Sequence, residues 1–153
     1  MKMQMSVDYA IRILQYMHEN RGGLLKAMEI ADATGVSYNF YIKIANQLKK
    51  SGLLQSAQGR HGGYVLGRPA QDISIYDVFK CMEGELQIKS CMREHAFCAG
   101  GPPSDCKLRT SLQKLQSKMI VEMSNKSIAD LADSDYEIAA VQKENILYQS
   151  RVS

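Results

Sequence analysis

The chain has 153 residues, 45% of them hydrophobic, which suffices for one domain with a real core and excludes disorder over most of its length. No run of about eighteen apolar residues is present to span a bilayer, and the N-terminus lacks the apolar core of a signal peptide, so the expected location is the cytoplasm. The net charge of +3 is unevenly spread. Residues 1–70 hold nine Lys or Arg against four Asp or Glu, and residues 71–153 hold ten against twelve, leaving a basic N-terminal half suited to phosphate.

Val7, Ala10, Ile11, Leu14 and Met17 recur at helical spacing and predict an amphipathic helix over 6–20, with Ser6 as N-cap and Asp8 in the first turn. Arg21-Gly22-Gly23 ends it. Met28, Ile30 and Ala31 form a short apolar face, followed by a tight turn at Thr34-Gly35-Val36. A second helix starts at Ser37, turns Phe40, Ile44, Ala45 and Leu48 inward, and presents Tyr38, Asn39, Lys43, Asn46 and Gln47 on its polar side. Two short helices around a central Gly form the helix-turn-helix pattern, and those polar side chains suit base edges and phosphates.

A strand over 53–57, a glycine-rich turn at Gln58-Gly59-Arg60-His61-Gly62-Gly63 and a returning strand over 64–67 then form a hairpin. Small residues at such a tip allow close approach to a duplex, and an Arg there suits the minor groove. Ser74 caps a further helix running to about Glu83. From Ser104 a long helix carries Leu108, Leu112, Leu115, Met119 and Met123 as a seam for a partner helix, or for the chain's own first helix.

Four cysteines remain. Cys81 stands apart and reads as a small hydrophobe within its helix. Cys91, Cys98 and Cys106, spaced C-x6-C-x7-C, flank Ala99-Gly100-Gly101-Pro102-Pro103, which cannot be regular structure. Three thiolates in such a loop suit an iron–sulfur cluster, zinc or direct thiol chemistry, though structural zinc usually takes closely spaced Cys pairs. A thiol oxidoreductase or cluster carrier lacks support, since no C-x-x-C pair or nucleophile–base set is present, and no enzyme is expected. The fold expected is mainly α with a small β-wing. A winged helix-turn-helix domain over 1–80 precedes the cysteine loop and long dimerisation helix over 81–132 and a tail over 133–153.

Several of these motifs, in this order, resemble the Rrf2 family of bacterial winged-helix transcription regulators over roughly 1–132. They are Asp8-Tyr9-Ala10, Gly35-Val36-Ser37, Leu48-Lys49-Lys50-Ser51-Gly52-Leu53, Gly62-Gly63-Tyr64, Leu66-Gly67-Arg68-Pro69-Ala70 and Ile73-Ser74-Ile75-Tyr76-Asp77-Val78. The resemblance implies a homodimer joined through the long helix on a palindromic operator in double-stranded DNA. Ser37, Tyr38, Asn39 and Lys43 would face the major groove, and Gly59, Arg60 and His61 the minor groove. Relatives often carry an Arg before the first wing glycine, where this chain has Gln58.

The three cysteines resemble those of the cluster-binding branch, implying a 4Fe-4S or 2Fe-2S cluster and a repressor that senses redox state, nitric oxide or iron–sulfur status. The IscR-like branch has a histidine three residues beyond the last cysteine, a position held here by Arg109. The NsrR-like branch draws an aspartate from the start of the other subunit's first helix, which corresponds to Asp8. His95, within the loop, is an alternative ligand. A cluster-free regulator of the same fold, dependent on thiols or zinc, is the competing expectation.

Overall fold

The computed structural model describes residues 3–92 and 106–132. The N-terminal helix, α1 (Met5–Glu19), is the element on which most others pack. Its buried face is Val7, Ala10, Ile13, Leu14 and Met17, all but inaccessible to solvent. Ser6 lies inside this helix rather than capping it. The N-cap is Gln4, which makes no side-chain cap, and its backbone N–H instead donates to Glu83 Oε1 at 2.7 Å. A carboxylate from a distant helix thus fixes where α1 begins.

The helices α2 (Ala27–Thr34) and α3 (Tyr38–Lys50) form the helix-turn-helix. Gly35 takes φ of +69°, a left-handed conformation that side chains disfavour, and Val36 N–H then closes the turn onto Ala31 O at 3.0 Å. Ser37 caps α3, its Oγ accepting Phe40 N–H at 3.4 Å. Met28, expected inward, is 56% exposed. Ile30, Ala31 and Thr34 form the buried face, and at 3.6 residues per turn Met28 sits about 200° from Ile30.

An antiparallel pair, β1 (Leu54–Ala57) and β2 (Gly63–Leu66), follows in the register Leu54↔Leu66 to Ala57↔Gly63. Next comes α4 (Ile75–Glu83), capped by Ser74 in a reciprocal box with Asp77. The long helix α5 (Lys107–Asn125) leads to a short helix, α6 (Ile128–Ala132), that the sequence reading did not contain. Lys126-Ser127 pairs with the chain entering α4, through Ile75 N–H to Lys126 O (2.9 Å) and Ile128 N–H to Ile73 O (2.8 Å). Asp130 accepts Ser127 N–H at 2.8 Å, and that bond holds its carboxyl below the ordinary range. Ile128 is thereby fully buried in the core formed by α1, α3 and α4.

The seam on α5 divides. Met119 and Met123, with Ile120, pack on Val7, Phe79 and Leu86 of the same chain. Leu108 and Leu115 are 56% and 53% exposed and Leu112 between them is half-buried, so the N-terminal half of the seam is largely open. Cys81 packs half-buried against the core, accepting a hydrogen bond from Ser51 Oγ at 3.1 Å, and burial pushes its thiol pKa up. Among the described residues no helix is long and apolar enough to cross a membrane.

Truncating the centre of α1 tests this architecture. Ile13→Ala should lower unfolding free energy by about 2–5 kcal/mol, read from urea denaturation, because it opens a cavity where several elements meet.

Candidate nucleic-acid interface and cysteine site

The inner face of α3 is Tyr41, Ile44, Ala45 and Leu48, each at most 1% exposed. Its outer face carries Tyr38, Asn39, Lys43, Asn46 and Gln47, all exposed, with Ser37 exposed at the cap. The helix is thus held from behind by apolar packing and offers amide, phenol and ammonium groups in front. Tyr41 was missing from the expected inward set, and Phe40, which was in it, is only half-buried against Tyr9 with ring centroids 5.7 Å apart. The spacing 41, 44, 45, 48 was the available signal, and a tyrosine in it reads as amphipathic.

Behind α3, Tyr41 meets Tyr64 of β2 edge to face, centroids 5.5 Å apart at 85°. The Tyr41 hydroxyl is buried with no hydrogen-bond partner among the described residues. Burial, then the neighbouring Tyr64 and Tyr38, raise its pKa far above the usual phenol range. Burial and the nearby Tyr38 also raise that of Tyr64. These three phenols mark where the start of α3 meets the wing strand.

Two backbone hydrogen bonds tie the wing to the loop before α2: Leu25 N–H to Tyr64 O (3.0 Å) and Tyr64 N–H to Leu25 O (2.8 Å). Gly63 is needed for this approach, since a Cβ there would lie 2.6 Å from Leu25 O. Beyond the pairing, Gly59, Arg60 and His61 form an exposed tip. Lys26, not singled out in the sequence, donates from its ammonium to Arg60 O at 3.2 Å and to Gly62 O. The expected DNA-facing residues therefore lie on two elements, α3 and the wing, that are packed on each other.

The cysteine residues are placed in part. Cys91 sits half-buried in a single helical turn, Ser90–Met92, which packs on α5. Cys106 is the N-cap of α5, its sulfur accepting Arg109 N–H at 3.4 Å. Cys98 and His95 lie outside the described residues, as does Ser104. Asp8 faces outward on α1, 52% exposed, and pairs with Arg12 at 3.0 Å. Among the described residues no three His, Cys, Asp or Glu side chains form a metal-sized group. By donor chemistry alone, the thiols of Cys91 and Cys106 are soft ligands. They stand on two segments in contact, and a sulfur that accepts a backbone N–H is the environment a ligating thiolate uses.

A family model described as "Rrf2: Iron-dependent Transcriptional regulator" matches residues 3–134. Among solved structures, the chain resembles CymR, the global cysteine regulator of B. subtilis, with a TM-score of 0.69 at 21% identity over 88% of this chain and 98% of that one. It resembles IscR of T. potens with a TM-score of 0.68 at 22% identity over 90% of each chain. The oxidized form of S. aureus CymR matches with a TM-score of 0.67 at 22% identity over 86% of this chain and 96% of that one.

The Leu25–Tyr64 junction gives a direct check. Gly63→Ala should cost about 1–3 kcal/mol by overpacking, and hydrogen exchange at the Tyr64 amide should rise as its bond to Leu25 O opens.

Proposed function

We propose, because the chain belongs to the Rrf2 family of transcriptional regulators, that it acts as a homodimeric repressor on a palindromic DNA operator and senses its signal through a cysteine-held iron–sulfur cluster. The observation that carries the DNA reading is the two-faced α3: an inner face locked in the core and an outer face of exposed hydrogen-bonding side chains. Ser37, Tyr38, Asn39 and Lys43 would enter the major groove, where amide and ammonium groups discriminate base edges and hold phosphates. Gly59, Arg60 and His61 would lie at the minor groove, whose negative potential attracts the Arg60 guanidinium. Exposed Leu108 and Leu115 on the open half of α5 support a second subunit packing there.

Cys91, Cys98 and Cys106 would hold the cluster, with the partner subunit's Asp8 as fourth ligand in the NsrR-like manner. When bound, such a cluster supplies a centre reactive toward oxidants and nitric oxide. The chain's own contribution is positional. Cys106 caps α5, so a group held there is held at the head of the helix on which dimer packing would depend. Asp8 is exposed, and its partner among the described residues is Arg12 in an i,i+4 pair, an attachment worth little and readily exchanged for a ligand bond.

Purification without oxygen, followed by visible spectroscopy and assays of iron and sulfide, tests the cofactor. Stoichiometric iron and sulfide are expected, lost on replacing any of the three cysteines by Ala and diminished in Asp8→Ala. A colourless, iron-free protein after attempted reconstitution would move sensing to bare thiols or zinc. For the interface, Arg60→Ala should weaken binding to a duplex selected by the wild-type protein by about 1–3 kcal/mol, and Lys43→Ala should also weaken it.

A further inference from the structure

Helix α2 has an unusual cap. The N-cap position favours Ser, Thr, Asp or Asn because their oxygens accept the orphan N–H groups of the first turn. This chain places Lys26 there, and an ammonium has no acceptor. The remaining half of a capping box is present: Lys26 backbone N–H donates to Glu29 Oε2 at 3.4 Å. The side chain, with nothing to offer its own helix, runs across to the wing. There its ammonium donates to the carbonyls of Arg60 and Gly62, the residues on either side of His61.

We infer that Lys26 is a positioning residue for DNA recognition: it holds the wing tip in the conformation that presents Arg60 and His61 to the minor groove. The inference rests on the wing reading above and adds a part to it. A hairpin tip of five residues, Gln58 to Gly62, has a single internal turn bond, Gly62 N–H to Gly59 O at 3.0 Å. Gly59, at φ of +104°, leaves that tip many alternative conformations. Two carbonyls fixed by one cation remove most of them before any duplex arrives, so less ordering entropy is lost on binding. The same contact joins the tip to the first helix of the helix-turn-helix, setting the span between the element for one groove and the element for the next. Because its ammonium is engaged by carbonyl oxygens, Lys26 acts through Arg60 and His61 rather than by touching phosphate.

The test uses the full chain and a duplex chosen by the wild-type protein from a random-sequence pool. Lys26→Met should speed hydrogen exchange at the tip amides in the absence of DNA. It should weaken duplex binding about tenfold, the scale of one charge-assisted hydrogen bond. The salt dependence of binding should keep its slope. In an Arg60→Ala background the same substitution should cost little more, and Lys26→Arg, which can donate to both carbonyls, should restore the tip and the affinity. The inference is overturned if tip exchange is unchanged while the salt slope falls by about one and the two losses add, for that is the signature of a phosphate contact. It is equally overturned if the tip loosens and affinity does not change. Full affinity in Arg60→Ala and in a His61→Ala variant would overturn the wing reading itself, whether or not Lys26→Met loosens the tip.

Discussion

Everything in this fold hangs on α1 being buried along one side of its length. Helices α2, α3, α4 and α6 and the wing strand β2 all pack on it, so its five inaccessible side chains are the common floor beneath the elements that would meet DNA. A helix can present one face to a partner only if the opposite face is held more strongly than the partner pulls. Here the hold comes from Tyr41, Ile44, Ala45 and Leu48 lying in the same core as Ile13 and Leu14. Burial of an Ile or Leu side chain among these contributes about 1.5–3 kcal/mol, against the few tenths typical of the exposed ion pairs on the surface.

The wing is attached by three different kinds of force. Backbone hydrogen bonds join Tyr64 to Leu25, an aromatic edge joins Tyr64 to Tyr41, and a cation joins the tip to the cap of α2. One cost is visible. Among the described residues the Tyr41 hydroxyl has no partner, a loss of about 1–3 kcal/mol for a buried polar group. The ring contact with Tyr64 and the apolar area it buries offset that cost. A phenylalanine would avoid the loss, and nothing in the described structure explains why the hydroxyl is present.

Local chemistry made much of this legible from sequence. Ser37 and Ser74 are caps because their oxygens reach amides three residues on, a relation written in adjacent letters. Gly35 was readable as a turn for the same reason. What escaped was set by distance along the chain. Gln4 is capped by Glu83, seventy-nine residues away, so Ser6 looked like the natural start of α1. Lys26 meets a tip more than thirty residues on, and as a lone lysine between Leu25 and Ala27 it carried no signal. Ser127 and Asp130 form a capping pair that could have been found, but five residues of helix have too little periodicity to stand out from a tail. The open and closed halves of the α5 seam share one spacing, and only packing separates them.

The attachment of α5 has a mechanical consequence. Its far end is pinned to the entrance of α4 by the pairing of Lys126-Ser127 with the chain around Ser74, and its near end begins at Cys106. A rod of nineteen residues is about 28 Å long, so a tilt of about 5° about the pinned end would move the Cys106 end by about 2.5 Å. The fulcrum is not neutral ground. Ile73 and Ile128, on either side of it, sit in the core shared with α1 and α3, so such a tilt would bear on the packing that supports α3.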